Sequence, residues 1–186
     1  MSTFQWLNKP QQWSLNGVFL EGGTLNITTD FETDFWRITH YGFSPDNGHA
    51  YLQPIAGNFV AQVQFTGDYL ELYDQAGLIL RLDGENWIKT GIELEEGKFC
   101  LSTVVTRTFS DWNIVPLQQN PARVWLRLER QGDAVRIDYS LDGILFEMLR
   151  LAYFPPNVAV QIGVMACSPK RAGFTAQFSN FSLEQS

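Results

Sequence analysis

The sequence predicts an all-β protein, a jelly-roll sandwich of two antiparallel sheets, on three observations. Apolar and polar residues alternate with period two, turn residues break these runs at short intervals, and helical periodicity is almost absent. A length of 186 residues suits one such sandwich, so a single domain spanning 1–186 is expected, with no internal repeat, low-complexity tract or linker.

Along the chain, residues 34–51 (DFWRITHYGFSPDNGHAY) hold both histidines, His40 and His49. They read as a strand from Phe35 to Tyr41, a loop rich in Gly, Pro, Asp and Asn that overhangs the sheet, and a second strand beginning near His49. FVAQVQF (59–65) sets Phe59, Ala61, Val63 and Phe65 against Val60, Gln62 and Gln64, the two faces of a strand. VWLRLER (124–130), AVRIDYS (134–140), VAVQIGVMAC (158–167) and FTAQFSNFSL (174–183) repeat the pattern. QGD at 131–133 and LDG at 141–143 carry the Gly and Asp of tight turns, which predicts a meander over 122–150. Phe35, Phe43, Phe59, Phe65, Phe174, Phe178 and Phe181 are the expected aromatic core, with Trp36 a further candidate.

The pair of runs at 76–94 bears most on function. In AGLILRLD, Ala76, Leu78, Leu80 and Leu82 share one face; Gly77, Ile79, Arg81 and Asp83 share the other. In WIKTGIEL, Ile88, Thr90, Ile92 and Leu94 oppose Trp87, Lys89, Gly91 and Glu93. Burying both apolar sets together is satisfied by a three-residue loop, Gly84–Asn86, closing an Asp83–Trp87 pair. Arg81 then lies opposite Lys89, and two like charges so placed call for a carboxylate or a ligand beside them, Glu93 and Asp83 being the nearest. A face bearing Arg81, Asp83, Trp87, Lys89 and Glu93 above two glycines reads as the floor of a shallow cleft. The polar sides of 124–130 and 158–167 could extend it. The bland alternative is a polar outer sheet with snorkelling Arg and Lys.

Composition narrows the partners. A formal charge of −7 without a Lys/Arg cluster lacks the footprint that nucleic acid requires. No apolar run approaches the ~20 residues of a membrane-spanning helix, and the start MSTFQWLNKP is unlike a signal peptide, so a cytoplasmic location is expected. Cys100 and Cys167 are then expected as reduced thiols. No cofactor is expected.

Several long stretches resemble one known family: FWRITHYGFSPDNGHAY, YDQAGLILRLD, WIKTGIE, SDW (110–112), RLAYF (150–154) and ACSPKRAGF (166–174). They are similar to a domain family of unassigned function labelled "regulation of enolase", with the concanavalin A-like lectin and glucanase fold. The likeness covers nearly the whole chain. It departs at Asn113, where the family pattern carries Ser, and at Phe146, where it often carries Trp. The resemblance implies a concanavalin A-like sandwich with one concave face and gives no reaction.

Three chemistries were weighed on the residues. A His40/Asp46/His49 zinc set is conceivable, yet the spacing matches no zinc motif, and no metal is expected. Glycoside hydrolysis needs two carboxyls about 5–10 Å apart. Glucanases of this fold commonly alternate three acids on one strand; here GIELEEG keeps Glu93 and Glu95, lacks the middle acid, and puts Glu96 on the opposite face. Asp83 with Glu93 is a second pair, although Arg81 and Lys89 nearby would hold both ionised. Nucleophilic catalysis by Cys167 or Ser110 would need a base in reach, and the histidines are far off in sequence.

Binding is the better supported reading. Aromatic side chains stack on sugar faces while polar groups take hydroxyls. The candidate ligand-binding set is His40, Tyr41, His49, Tyr51, Tyr73, Arg81, Asp83, Trp87, Lys89, Glu93 and Trp112. The expected partner is a small-molecule or carbohydrate ligand, with an acidic sugar or phosphorylated metabolite also suited to the cations. An enzyme acting on a sugar or glycan, and a regulatory module contacting a metabolic enzyme, are the two rivals. Neither nucleic acid nor membrane is an expected partner.

Overall fold

The computed structural model describes residues 3–185. The alternating runs form two seven-stranded sheets in which every neighbouring pair is antiparallel. In spatial order the first holds β1 (Gln5–Leu7), β4 (His49–Ile55), β13 (Val160–Cys167), β6 (Gln75–Arg81), β7 (Asn86–Glu95), β8 (Lys98–Arg107) and β9 (Phe109–Pro116). The second holds β12 (Glu147–Tyr153), β11 (Ala134–Ser140), β10 (Val124–Gln131), β5 (Phe59–Gly67), β14 (Thr175–Gln185), β3 (Thr24–Thr28) and β2 (Gln12–Asn16). A 3-10 turn at Phe19–Glu21 is the one helical element among the described residues.

The inner faces meet as the alternation requires. Leu78, Leu80, Ile88, Ile92 and Leu101 from the first sheet form one fully buried cluster with Ala61, Val63, Leu126, Leu128 and Phe178 from the second. Removing these side chains from water is the main driving force for sandwich formation. The meander is present as β10, β11 and β12, at one end of the second sheet. Gly132 at a positive φ of 61° makes its first turn, and in the second Asp142 accepts the N–H groups of Ile144 and Leu145.

The β6–β7 hairpin keeps the expected faces but not the expected register. Arg81 pairs with Trp87, and Lys89 with Ile79, two residues from the anticipated pairing. Asp83 is the cause. Its carboxylate accepts the Glu85 N–H and the Asn86 amide, which takes Asp83 out of the strand and into the turn. Arg81 and Lys89 therefore share a face without standing opposite each other.

The glycines of this face serve the sheet rather than a ligand. A Cβ on Gly77 would lie 1.9 Å from the Thr90 carbonyl oxygen, and one on Gly91 1.9 Å from that of Ala76. The two strands approach too closely there for any side chain.

On the outer face of the first sheet Ala50, Leu52, Ile79, Trp87, Val104, Met165 and Cys167 make a second apolar cluster, covered by Phe35 and Trp36. Because β13 pairs with β6, Gln161, Gly163, Met165 and Cys167 do extend this face. Because β10 is in the other sheet, Trp125, Arg127 and Glu129 do not; Arg127 bonds Gln62 and lies over the Phe146 ring.

Residues 35–41 are not a strand. They form one arm of a strap folded over the outer face: Ile38 N–H donates to Phe43 O, Trp36 N–H to Pro45 O, and Phe35 bridges Asp46. Ile38, His40 and Gly42 at positive φ bend its tip, so the alternation of FWRITHY pairs with the strap's own second arm instead of a sheet. The strand beginning at His49 is β4. Of the seven expected core phenylalanines, Phe43 alone departs, standing 51% exposed on the strap.

Gly91→Ala is expected to lower the unfolding free energy by roughly 1–3 kcal/mol or more, because the clash is with backbone and cannot be relieved by a rotamer change. Urea unfolding of the variant beside the wild type measures it, and an unchanged midpoint would show that the strands can part without cost.

Candidate functional site

Two cations stand on the outer face, and the strap supplies a carboxylate to each. Arg81 Nη1 and Nη2 donate to the two oxygens of Asp46, both at 2.7 Å, a fork-to-fork pair. Lys89 Nζ donates to Asp34 Oδ1 at 2.9 Å. The two cationic side chains are only 8% and 4% exposed, so each pairing offsets the cost of burying a charge. Arg37 reaches Glu85 at the hairpin turn as a third tie. The direct partners of the two cations are therefore Asp46 and Asp34 of the strap, not Asp83 and Glu93 of the hairpin as expected. Their signal in the sequence was two acids, Asp34 and Asp46, flanking the aromatic run of residues 35–43.

Beside the strap the face opens into a cleft of about 570 Å³. The sheet contributes Lys89, Glu93, Val104 and Trp112; the strap and the residue before it contribute Asp34, Trp36, Tyr41, Phe43 and Pro45. Tyr73 enters from the loop before β6, held at a φ of 68° by its N–H bond to the Leu94 carbonyl. Glu32, Pro169 and Lys170 complete the lining. The aromatic rings stand steeply to one another: Trp36 and Trp112 at 89°, Tyr73 and Trp112 at 77°, Trp36 and Tyr41 at 69°.

Several polar groups of the cleft are bonded within the protein. Glu93 Oε2 accepts from Ser102 Oγ at 2.6 Å and from Trp112 Nε1 at 3.1 Å. Trp36 Nε1 donates to the Thr39 carbonyl. Burial pushes the Glu93 carboxyl above the ordinary range, against the pull of Lys89 and these donors. For Lys89 burial acts downward, but Asp34, Cys167 and Glu93 together outweigh it and hold the ammonium above its usual value. The Tyr41 side chain, burial and nearby carboxylates raise Tyr73.

Of the eleven residues singled out in the sequence, Tyr41, Tyr73, Lys89, Glu93 and Trp112 line this cleft. Arg81 and Trp87 lie beneath the strap, Trp87 fully buried against Phe35. His40 is at the exposed strap tip, lining a neighbouring cleft. Asp83 is in the hairpin turn, its acid held below the usual range by the Asn86 and Glu85 bonds in spite of some burial. His49 and Tyr51 are not brought to the face. His49 is buried, accepting the Asp30 N–H on Nε2 and bonding the Asn8 carbonyl through Nδ1. Tyr51 points into the sandwich among Phe4, Trp6 and Phe19. Asp34, Trp36, Phe43 and Pro45 line the cleft without having been singled out in the sequence, since the strap's fold was not legible, and Glu32, Val104, Pro169 and Lys170 complete that group.

The arrangement limits the chemistry. Glu93 pairs with Gln75, at the far end of β6 from Asp83, roughly 20 Å away at about 3.3 Å per residue. The Asp83–Glu93 acid pair is therefore not assembled. His40 and His49 are likewise apart, and among the described residues no three His, Cys, Asp or Glu are grouped to hold a metal ion. Cys100 and Cys167 are separate buried thiols, the Cys167 thiol pushed well up by burial. The Ser110 hydroxyl is engaged by the Arg37 N–H and by Thr106. Among the described residues no helix is long and apolar enough to cross a membrane.

Two seven-stranded antiparallel sheets with an aromatic cleft on one outer face define a concanavalin A-like sandwich. The chain belongs to the family described as a protein of unknown function (DUF1349), whose pattern matches residues 6–186. It is 41% identical over 183 residues to "Regulation of enolase protein 1" of Saccharomyces cerevisiae, covering 98% of this chain and 90% of that one. A crystal structure of a functionally unknown protein from Saccharomyces cerevisiae superposes with a TM-score of 0.91 at 38% identity, over 99% of this chain and 97% of that one. More distant likenesses show the fold alone. A mutant GH43 protein BlXynB from Bacillus licheniformis has a TM-score of 0.70 at 14% identity, over 98% of this chain and 37% of that one. The carbohydrate binding module CBM66 from Bacillus subtilis has 0.55 at 13%, over 97% and 95%.

Two outcomes follow from the buried charges. Lys89→Met leaves Asp34 and Glu93 without their cation and is expected to cost about 3–5 kcal/mol, read by chemical denaturation. Glu93→Gln acts through pH. A carboxyl whose folded pKa is raised favours the folded state while protonated, and that contribution is lost as pH rises through the folded pKa. Wild type should therefore lose stability relative to Glu93→Gln as pH rises above the ordinary carboxylate range; parallel stability curves would contradict the assignment.

Proposed function

We propose that the cleft binds a carbohydrate, and a neutral sugar in preference to an anionic one. The observation that carries this reading is the state of its two tryptophans. Both indole N–H groups are already bonded within the protein, so Trp36 and Trp112 offer a ligand only their ring surfaces, which suit the C–H faces of a sugar. Tyr41, Phe43 and Tyr73 add aromatic wall, while Glu93 and Lys89 stand ready for hydroxyl groups. Anionic ligands have less support here, because Lys89 is matched by Asp34, Arg81 lies beneath the strap matched by Asp46, and the exposed Lys170 of the lining is accompanied by Glu32 and Glu93. The carbohydrate binding module among the fold's neighbours agrees with this reading without carrying it.

Thermal denaturation against a panel of neutral sugars and their uronic acids tests it. A neutral sugar should raise the melting temperature and its uronic acid should not. Phe43→Ala and Tyr41→Ala, both at exposed positions that contribute little to folding, should weaken binding by about threefold or more. A panel in which only acidic sugars bind would overturn the preference.

A second reading, a protein-interaction module, is favoured by one side of the sandwich. There the edge strands β9 and β12 lie together, joined by Arg150 to Asp111 and Asn113, and expose Phe109, Met148, Leu151 and Tyr153. The name of the curated relative points to enolase as the partner to try. Sedimentation with an enolase should show a complex that Leu151→Glu abolishes; two independent boundaries dismiss the idea.

A further inference from the structure

We infer that the ligand is a chain of at least two sugar units, the second lying in a neighbouring cleft on the far side of Tyr41. The inference rests on the carbohydrate reading and adds a subsite to it. The neighbouring cleft, about 600 Å³, is lined by Thr39, His40, Ser110 and Asp111 and shares Trp36, Tyr41 and Trp112 with the first.

Tyr41 stands between the two clefts and lines both. Its ring stacks on Phe43 at 5.4 Å, within the first cleft, and meets His40 edge-on at 4.7 Å, within the second. Trp36 stands at 69° to Tyr41 and at 89° to Trp112, so the shared rings form a stepped aromatic path from one cleft to the other. Each cleft has the volume of a small-molecule site by itself. A monosaccharide would leave the second unfilled.

The polar groups of the second cleft suit an exposed outer unit. The Ser110 hydroxyl is engaged by the Arg37 N–H and Thr106 and so ties the strap to β9 without serving a ligand. His40 and Asp111 are exposed and remain for hydroxyl groups, Asp111 steadied by Arg150 at 3.3 Å. His40 holds a φ of 64°, fixed by the Tyr41 N–H bond to Thr39 O and the Gly42 N–H bond to Ile38 O, a conformation that costs energy and presents the imidazole at the cleft.

Titration calorimetry on the full chain decides it, with glucose, xylose and galactose set against cellobiose, maltose, xylobiose and lactose. At least one disaccharide should bind about tenfold or more tightly than its monosaccharide. His40→Ala and Asp111→Asn should bring that disaccharide down to the monosaccharide level and leave the monosaccharide affinity unchanged, with unfolding midpoints as in wild type. Equal affinity for one and two units, or variants that weaken both alike, overturns the second subsite while the carbohydrate reading stands. No heat with any sugar overturns both.

Discussion

The strap stays on the sheet because the sheet carries buried cations. Arg81 and Lys89 project from adjacent strands onto the outer face, with the apolar Trp87, Ile79, Val104 and Met165 around them. Leaving either charge dry and unpaired would cost several kcal/mol. Asp46 and Asp34, one from each arm of the strap, meet them at 2.7 and 2.9 Å. That pairing sets where the strap lies, and with it where Trp36, Tyr41 and Phe43 stand. The cleft is thus a consequence of charge matching more than of the sandwich itself.

The same pairing sets the electrostatic character of the cleft. A free lysine on an aromatic floor would invite phosphate or carboxylate. A lysine bonded to Asp34 beside a buried glutamate invites them less: burial raises the Glu93 carboxyl, while the acids around Lys89 hold its ammonium above the usual value against its own burial. The surfaces left to a ligand are largely ring faces, and the proposal of a neutral polyhydroxylated ligand rests on them. Fold likeness to carbohydrate-binding and GH43 proteins could not have supplied this, since the fold hosts many sites and the argument here comes from particular side chains.

Much of the architecture was legible from alternation alone. Period two placed β5, β10, β11, β13 and β14 nearly in full, and parity put Arg81, Trp87, Lys89 and Glu93 on one face of the β6–β7 hairpin. The hairpin register was not legible, because Asp83 could end a strand or cap a turn, and only its bonds to Glu85 and Asn86 decide. The strap was not legible for a related reason: FWRITHY alternates like a strand, while the positive φ values at Ile38 and His40 that fold it back are at residues whose types do not announce them. Phe43 is as hydrophobic as the core phenylalanines and still stands exposed on that strap. His49 and Tyr51 share a stretch with cleft residues and still point elsewhere, because β4 turns alternate side chains to opposite faces.

By itself, then, the sequence determined the class of fold and the pairing parity of its hairpins, since both follow from local periodicity. Only the tertiary structure decided which carboxylates answer, which aromatics gather in the cleft and which histidine stays outside it. Those depend on contacts between residues dozens of positions apart, Asp34 with Lys89 and Asp46 with Arg81, and no local pattern encodes the path by which a loop returns across a sheet.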